Sequence, residues 1–306
     1  MKIVLTGGTG FIGGKLSRYL ALQEYEIVAL TRRSGQQSPF GLHLRFVEWD
    51  ACNVGAWAKE LEGASAIIHL AGEGIFNSRW TKEVKQRIIS SRILSTRALV
   101  QALALTESKP SVFISCSAVG IYGHQGDAIL DESAAFGGDF LAQLCQEWEM
   151  ESHKASEQGV RVVNPRIGIV LGTEGGALAR LLPIFNSYAG LSLGSGQQWF
   201  PWVHSADVVR GLLYPLENLQ MQGAFNLVAP DSTTMDTFCF TLSDVLKKRM
   251  LSKSVRIPAF ALNIALGESA SALLASQRAI PKKLQEAGFS FSYPSLTTAL
   301  HQILSQ

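Results

Sequence analysis

The sequence predicts an α/β protein, a doubly wound parallel sheet (Rossmann type) with a smaller C-terminal substrate lobe. Three observations predict it. Short apolar runs alternate with helix-patterned segments through the first half of the chain, and such alternation implies parallel strands joined by right-handed crossovers. Of the 306 residues, 17% are charged and 47% apolar, as a large sheet buried on both faces requires. A glycine-rich turn, Thr6-Gly7-Gly8-Thr9-Gly10-Phe11-Ile12-Gly13, joins the first apolar run to the first helix pattern.

Residues 2–5, 26–30, 44–47, 66–70, 111–114 and 161–164 each read as a short strand, and the segments near 11–23, 55–62, 81–104 and 139–158 read as crossover helices. In the last of these, Leu141, Leu144, Cys145 and Trp148 share one helix face. A helix pattern near 206–217 and a strand-like 223–229 follow a Gly-rich stretch, and 232–306 is mostly helical in pattern. The expected layout is a dinucleotide-binding domain from 1–166 and 206–229, with a substrate lobe from 167–205 and 230–306.

Composition excludes several classes. Lysine and arginine number 27 against 25 acidic residues, too even a balance for a nucleic-acid or membrane-surface protein. The four cysteines and six histidines are dispersed, without metal-ligand spacing. The opening MKIVLTGG is too short for a signal-peptide core, and the charge-poor stretch around 181–203 is broken by Pro183, Gly190, Gly194, Gly196 and Pro201. A cytoplasmic protein without bound metal is expected.

The glycine turn carries the first chemistry. Gly7 supplies a tight turn, Gly10 a close approach of backbone to pyrophosphate, and Gly13 close helix–sheet packing. Thr9, Phe11 and Ile12 surround the helix N-terminus, whose free N–H groups and partial positive charge suit phosphates. At the end of the second strand the chain reads Thr31-Arg32-Arg33-Ser34, two arginines and no carboxylate. Arginine there accommodates the 2′-phosphate of NADP, which an acidic residue would repel. The expected cofactor is NADP(H).

The GxxGxxG spacing resembles the extended short-chain dehydrogenase/reductase superfamily. The resemblance continues through Asp50, through His69-Leu70-Ala71-Gly72, and through Ser115-Cys116-Ser117-Ala118-Val119-Gly120-Ile121-Tyr122-Gly123. It implies that these positions flank adenine, nicotinamide ribose and substrate. By the same resemblance Arg92 contacts NADP, and Arg166, after the sixth strand, reaches cofactor phosphate or substrate.

One feature of that superfamily is missing. Tyr19, Tyr25, Tyr122, Tyr188, Tyr214 and Tyr293 are followed four residues later by Gln23, Ala29, Gly126, Ser192, Asn218 and Thr297, so no YxxxK exists. The usual proton-transfer pair is absent. With TGGTGFIG, LTRR, HLAGE, SRWT, SSR, SAVGIYG, GGDFLAQLCQEWE, GSGQQWFPWVHSAD and RAIPKKLQEAGFSFSYPSL, the chain resembles the atypical extended family of epimerase-like proteins over almost its full length.

Three residues are candidates for the chemistry. Glu73, just past the fourth strand, is a general acid/base, a substrate-hydroxyl acceptor, or a solvated loop carboxylate. Ser117 would polarise a reacting oxygen, or merely bond backbone at a strand end. Tyr122 would replace the missing tyrosine only if its loop turns it into the pocket. Trp199, Phe200, Trp202 and His204 with Asp207 read as packing between lobes. Two functions stay open: an NADP-dependent oxidoreductase or nucleotide-sugar epimerase on a small polar substrate, and a catalytically silent NADP(H)-binding regulator.

Overall fold

A computed structural model describes residues 1–33, 35, 41–187, 191–248 and 256–305. Ser34 and Tyr188 lie outside the described residues. The first half runs β1 (Lys2–Thr6), α1 (Phe11–Leu22), β2 (Glu26–Thr31), β3 (Leu44–Glu48), β4 (Ala66–His69), α2 (Lys82–Ala104), β5 (Val112–Ser115) and β6 (Ser117–Ala118). It continues through β7 (Ile129–Leu130), α3 (Phe140–His153) and β8 (Arg161–Ile167). The segment at Ala56–Leu61, read from sequence as a crossover helix, is a short 3-10 turn.

The second half opens with β9 (Ile169–Leu171), α4 (Gly176–Asn186), β10 (Ser192–Leu193), β11 (Trp199–Phe200) and β12 (Trp202–His204). Next come α5 (Ser205–Glu217), β13 (Gly223–Leu227), β14 (Thr233–Thr234), α6 (Met235–Val245), β15 (Arg256–Ile257) and α7 (Ala259–Leu266). The last elements are α8 (Ala270–Leu274), β16 (Arg278–Ala279), α9 (Lys282–Glu286) and α10 (Leu296–Leu304).

Seven strands lie side by side in the order β13-β8-β5-β4-β1-β2-β3, with β6 paired to β8, and every pairing is parallel. The order reverses between β1 and β4, which opens a crevice at their carboxyl ends where ligands bind in this architecture. Alternate side chains serve opposite faces. Ile3 and Leu5 of β1 pack with Leu16 and Leu20 of α1 and Val208 and Leu212 of α5. Val4 packs on the other face with Ala98, Leu99 and Leu103 of α2 and with Trp57. Burying a side chain of this size contributes roughly 1.5–3 kcal/mol, so this two-sided core fixes the strand ends that carry the site.

A separate core holds the second lobe, built on Leu178, Phe185, Phe200, Trp202, Phe238, Leu242, Leu300 and Ile303. Three carboxylates that precede the C-terminal segment clamp it onto the body. Fully buried Asp207 accepts from the backbone N–H groups of Ser292 (2.7 Å) and Tyr293 (2.9 Å). Asp231 accepts from the N–H of Leu296 at the start of α10, and Glu132 from the N–H of Lys283 at the start of α9. His204 bonds Gln302 at 2.8 Å and stacks on Tyr293. Within the aromatic stretch 199–204, Phe200 and Trp202 are buried in this core. No helix among the described residues is long and apolar enough to cross a membrane.

Candidate functional site

The site starts at the turn between β1 and α1. Gly7 has φ +70°, and a Cβ there would lie 2.8 Å from the carbonyl carbon of Leu70. On Gly13 a Cβ would lie 2.1 Å from the Gly7 oxygen. No side chain fits at either position, so the glycines let α1 dock directly against its own entry turn. Gly10 caps α1 without a side-chain hydrogen bond, and the first turn holds no acidic residue. The Gly10 N–H donates to the Gly7 carbonyl (2.9 Å), and the helix presents its free N–H groups and positive potential at Phe11 and Ile12, while Thr9 and Gly10 are exposed. The Phe11 ring is covered by Gly172 and Gly175, whose added Cβ atoms would meet it at 2.7 and 2.8 Å, and Lys15 pairs with Glu174 at 2.7 Å.

Behind the turn runs a directed hydrogen-bond chain. Thr6 Oγ1 accepts from the N–H groups of Leu70 (3.2 Å) and Ala71 (3.1 Å), which fills both lone pairs. Its own proton is thus donated to His69 Nδ1, 2.6 Å away. The tautomer that follows carries its proton on Nε2 and donates to Thr96 Oγ1 at 3.1 Å. Thr96 donates in turn to the Arg92 carbonyl (2.7 Å) and accepts from Trp148 Nε1 (2.9 Å). Burial, with Arg92 nearby, drives the His69 pKa down to about 3. His69 is a neutral strut, and sequence reasoning quoted it without giving it a role. A histidine at the last position of an apolar strand was the available signal.

On the β2 side, Arg32 and Arg33 are exposed beyond Thr31, whose hydroxyl accepts from the N–H of Arg33 (3.2 Å). Asp50 folds its own loop, accepting from the N–H groups of Asn53 and Cys52, both at 2.8 Å, and from the Asn53 side chain. Those bonds, from Asn53 first, hold its carboxyl below the usual range. Arg32, Asp50, Trp49 and Trp57 line one open cleft of about 430 Å³.

On the β4 side, Leu70 and Ala71 are partly exposed, Gly72 is exposed, and Glu73 is partly exposed. The Glu73 N–H donates to Ser91 Oγ (2.9 Å), and its carboxylate pairs with Arg87 (3.2 Å). Arg92 donates from Nη1 to the Glu73 carbonyl (3.0 Å), and its guanidinium sits where a Gly72 Cβ would meet Cζ at 3.0 Å. Ser115 ends β5 and Ser117 opens β6, both buried, with Oγ atoms that find no hydrogen-bond partner of normal geometry among the described residues. Ser117 adjoins the Cys145 thiol, which burial pushes up to about 11.

Two expected residues are placed elsewhere. Tyr122 has no accessible surface, and its hydroxyl donates to Asn226 Oδ1 (2.7 Å) and accepts from Arg166 Nη1 (3.0 Å). Arg166 is 3% exposed and spends its other face on Glu149 of α3, through two bonds of 2.9 Å. Neither faces the crevice: the carboxylate meets the guanidinium's charge, and the tyrosine is sealed in the same network. Arg166, expected just past the sixth strand, lies within β8, and the Tyr122 hydroxyl is turned into this buried network.

Residues 3–227 match the NAD dependent epimerase/dehydratase family. The chain belongs to that family. Residues 257–303 match a domain of unknown function, DUF1731, so the clamped C-terminal segment is a recognised unit. Among relatives, the chain is 37% identical over 306 residues to the epimerase family protein SDR39U1 homolog, chloroplastic, of Arabidopsis thaliana, covering 99% of this chain and 87% of that one. It is 35% identical to the epimerase family protein YfhF of Bacillus subtilis, covering 100% of this chain and 98% of that one. Among solved structures, human epimerase family protein SDR39U1 with NADPH superposes with a TM-score of 0.89 at 30% identity, over all of both chains. The likeness to the epimerase-like proteins drawn from sequence is thereby confirmed.

Proposed function

We propose that the chain binds NADP(H) across the carboxyl ends of β2, β1, β4 and β5 and acts with it on a small polar substrate, as an oxidoreductase or nucleotide-sugar epimerase. The observation that carries this reading is the glycine turn. Gly7 and Gly13 leave no room for a side chain and aim an uncapped helix N-terminus at the crevice, which is the fit a pyrophosphate needs. The NADPH-bound human SDR39U1 structure supports it. Arg32 and Arg33 select the 2′-phosphate. The bound nicotinamide supplies hydride chemistry.

The chain's own residues position and protonate. Glu73 is the one of the three candidate groups whose carboxylate reaches solvent at the β4 edge, with its backbone pinned by Ser91 and its charge beside Arg87. It takes the proton-moving role, and Ser117 is left to polarise the reacting oxygen. A second reading, a catalytically silent NADP(H)-binding regulator, is favoured by the sealed Tyr122 hydroxyl. Single-turnover oxidation of bound NADPH against a panel of carbonyl and sugar-nucleotide compounds separates the two. Oxidation by any member, lost in Glu73→Gln, supports the enzyme; tight binding with no oxidation across the panel supports the regulator.

A further inference from the structure

The chain that follows Glu73 leaves the α/β body and crosses to the second lobe. It is anchored at its far end by Trp80, which is buried, donates from Nε1 to the Ile75 carbonyl (2.7 Å) and packs edge-on against Phe140 of α3. Before that anchor Phe76 is half-buried, and Asn77, Ser78 and Arg79 are exposed. Two arginines tie this strap across. Arg180 of α4 donates to the Phe76 carbonyl (2.6 Å) and to Asn77 Oδ1 (3.1 Å). Arg79 reaches the other way, donating to the carbonyls of Ile264 and Ala265 at the end of α7. The last carbonyls of a helix lack partners within it and favour a cation. Lys85 adds an ion pair with Glu268, just past α7 (2.5 Å).

The strap joins the two banks of the crevice. One bank is the end of β4. The other is α4, whose entry turn lays Gly172 and Gly175 on the Phe11 ring of the glycine turn and pairs Glu174 with Lys15. The two sides of the lobe junction differ in kind. At the C-terminal clamp, fully buried Asp207 accepts backbone N–H groups. At the strap, the ties are solvent-exposed bonds from arginine side chains to carbonyls. Exposed hydrogen bonds around little buried apolar surface break at small cost, whereas a buried carboxylate cannot release its donors cheaply. One side of the junction is a fixed joint and the other a releasable one, which is the arrangement of a closing loop.

We infer that residues 74–79 are a lid over the crevice and that the C-terminal domain is its latch, the end of α7 gripping Arg79 while Arg180 of α4 grips the lid backbone. This gives the domain at 257–303 a task. Its buried end fastens it to the body, and its α7 end sets how often the crevice opens. Ligands pass when the Arg79 and Arg180 bonds break, and Glu73, at the root of the lid, is set in place when they re-form. The passage of cofactor rests on the NADP(H) reading above; the latch does not.

Two measurements on the full chain test it. The first is limited chymotrypsin digestion without ligand, because the Phe76 carbonyl must leave Arg180 before the bond after it is cut. In Arg79→Ala with Arg180→Ala that cut should speed up about 10-fold or more, as loss of charged hydrogen bonds allows, with other sites unchanged. The second is stopped-flow mixing with NADPH, whose association and dissociation rates should both rise in the same variant. Arg79→Lys keeps a cation on α7 and should stay nearer the unsubstituted protein in both assays. Arg180→Ala alone should move both the same way by less, and serves if the double variant does not fold. An unchanged cut after Phe76, or cleavage that rises equally along the whole chain, would overturn the latch. A faster cut with an unchanged NADPH association rate would overturn the lid. If the unsubstituted chain binds no NADPH, the cofactor reading fails, and the digestion alone decides the latch.

Discussion

Thr6 Oγ1 and His69 Nδ1 lie 2.6 Å apart at the carboxyl ends of β1 and β4, tying the strand of the glycine turn to the strand of the Gly72–Glu73 loop. The pair works only with a neutral imidazole, because Nδ1 must accept. Its pKa of about 3 in the fold, against about 6.5 in the unfolded chain, makes stability depend on pH. The folded value is the lower one, so the contribution is complete above pH 6.5 and is lost as pH falls toward 3.

His69→Gln removes that dependence. From pH 7 to pH 5 the wild-type protein should lose about 2 kcal/mol of stability relative to the variant. Urea unfolding of both proteins at the two pH values checks it. A constant difference would mean that His69 protonates in the folded state.

Gly13→Ala is expected to abolish tight NADPH binding in a protein that still folds. The new Cβ would fall 2.1 Å from the Gly7 oxygen, so the turn must open and its N–H groups must turn away. Circular dichroism establishes folding, and titration with NADPH reads the affinity. Wild-type affinity would remove the turn from the site.

How legible these features were depends on sequence distance. The glycine turn and the arginine pair are contiguous, so residue type and position between strand and helix were enough to find them. The hydrogen-bond chain joins Thr6 to His69 across 63 residues, and His69 to Thr96 across 27. Tertiary contact alone creates it. Arg166 was misread for the same reason: its partner Glu149 lies on the preceding helix, 17 residues away, and comes alongside only when α3 packs on the sheet. The strands of the second lobe escaped reading because pieces such as Ser192–Leu193 and Thr233–Thr234 are two residues long and carry no periodicity.

Tyr122→Phe tests the corrected placement. The hydroxyl bridges Asn226 and Arg166 inside the fold, so its loss should cost about 1–2 kcal/mol of stability and leave NADPH affinity unchanged. Denaturant midpoints and a titration decide it. Unchanged stability with weakened NADPH binding would return Tyr122 to the site.

The C-terminal clamp makes its own prediction. Asp207→Ala strips the N–H groups of Ser292 and Tyr293 of their buried acceptor, at a cost of about 3 kcal/mol. Asp207→Asn keeps one carbonyl oxygen and should lose less. Limited proteolysis should then cut first near residues 290–295 in the alanine variant. Equal stability of all three proteins would show that the apolar core alone holds the segment.

The central claim is NADP(H) binding with the adenosine end at Arg32 and Arg33. Competitive titration of NADPH and NADH at low and high salt tests it most directly. A charged hydrogen bond contributes roughly 1.5–3 kcal/mol, so NADPH should bind about 10- to 100-fold more tightly than NADH. Both arginines are exposed, so the preference should shrink as salt rises. Arg32→Ala with Arg33→Ala should abolish it while leaving NADH affinity nearly unchanged. Equal affinities for the two cofactors in the unsubstituted protein would contradict the account.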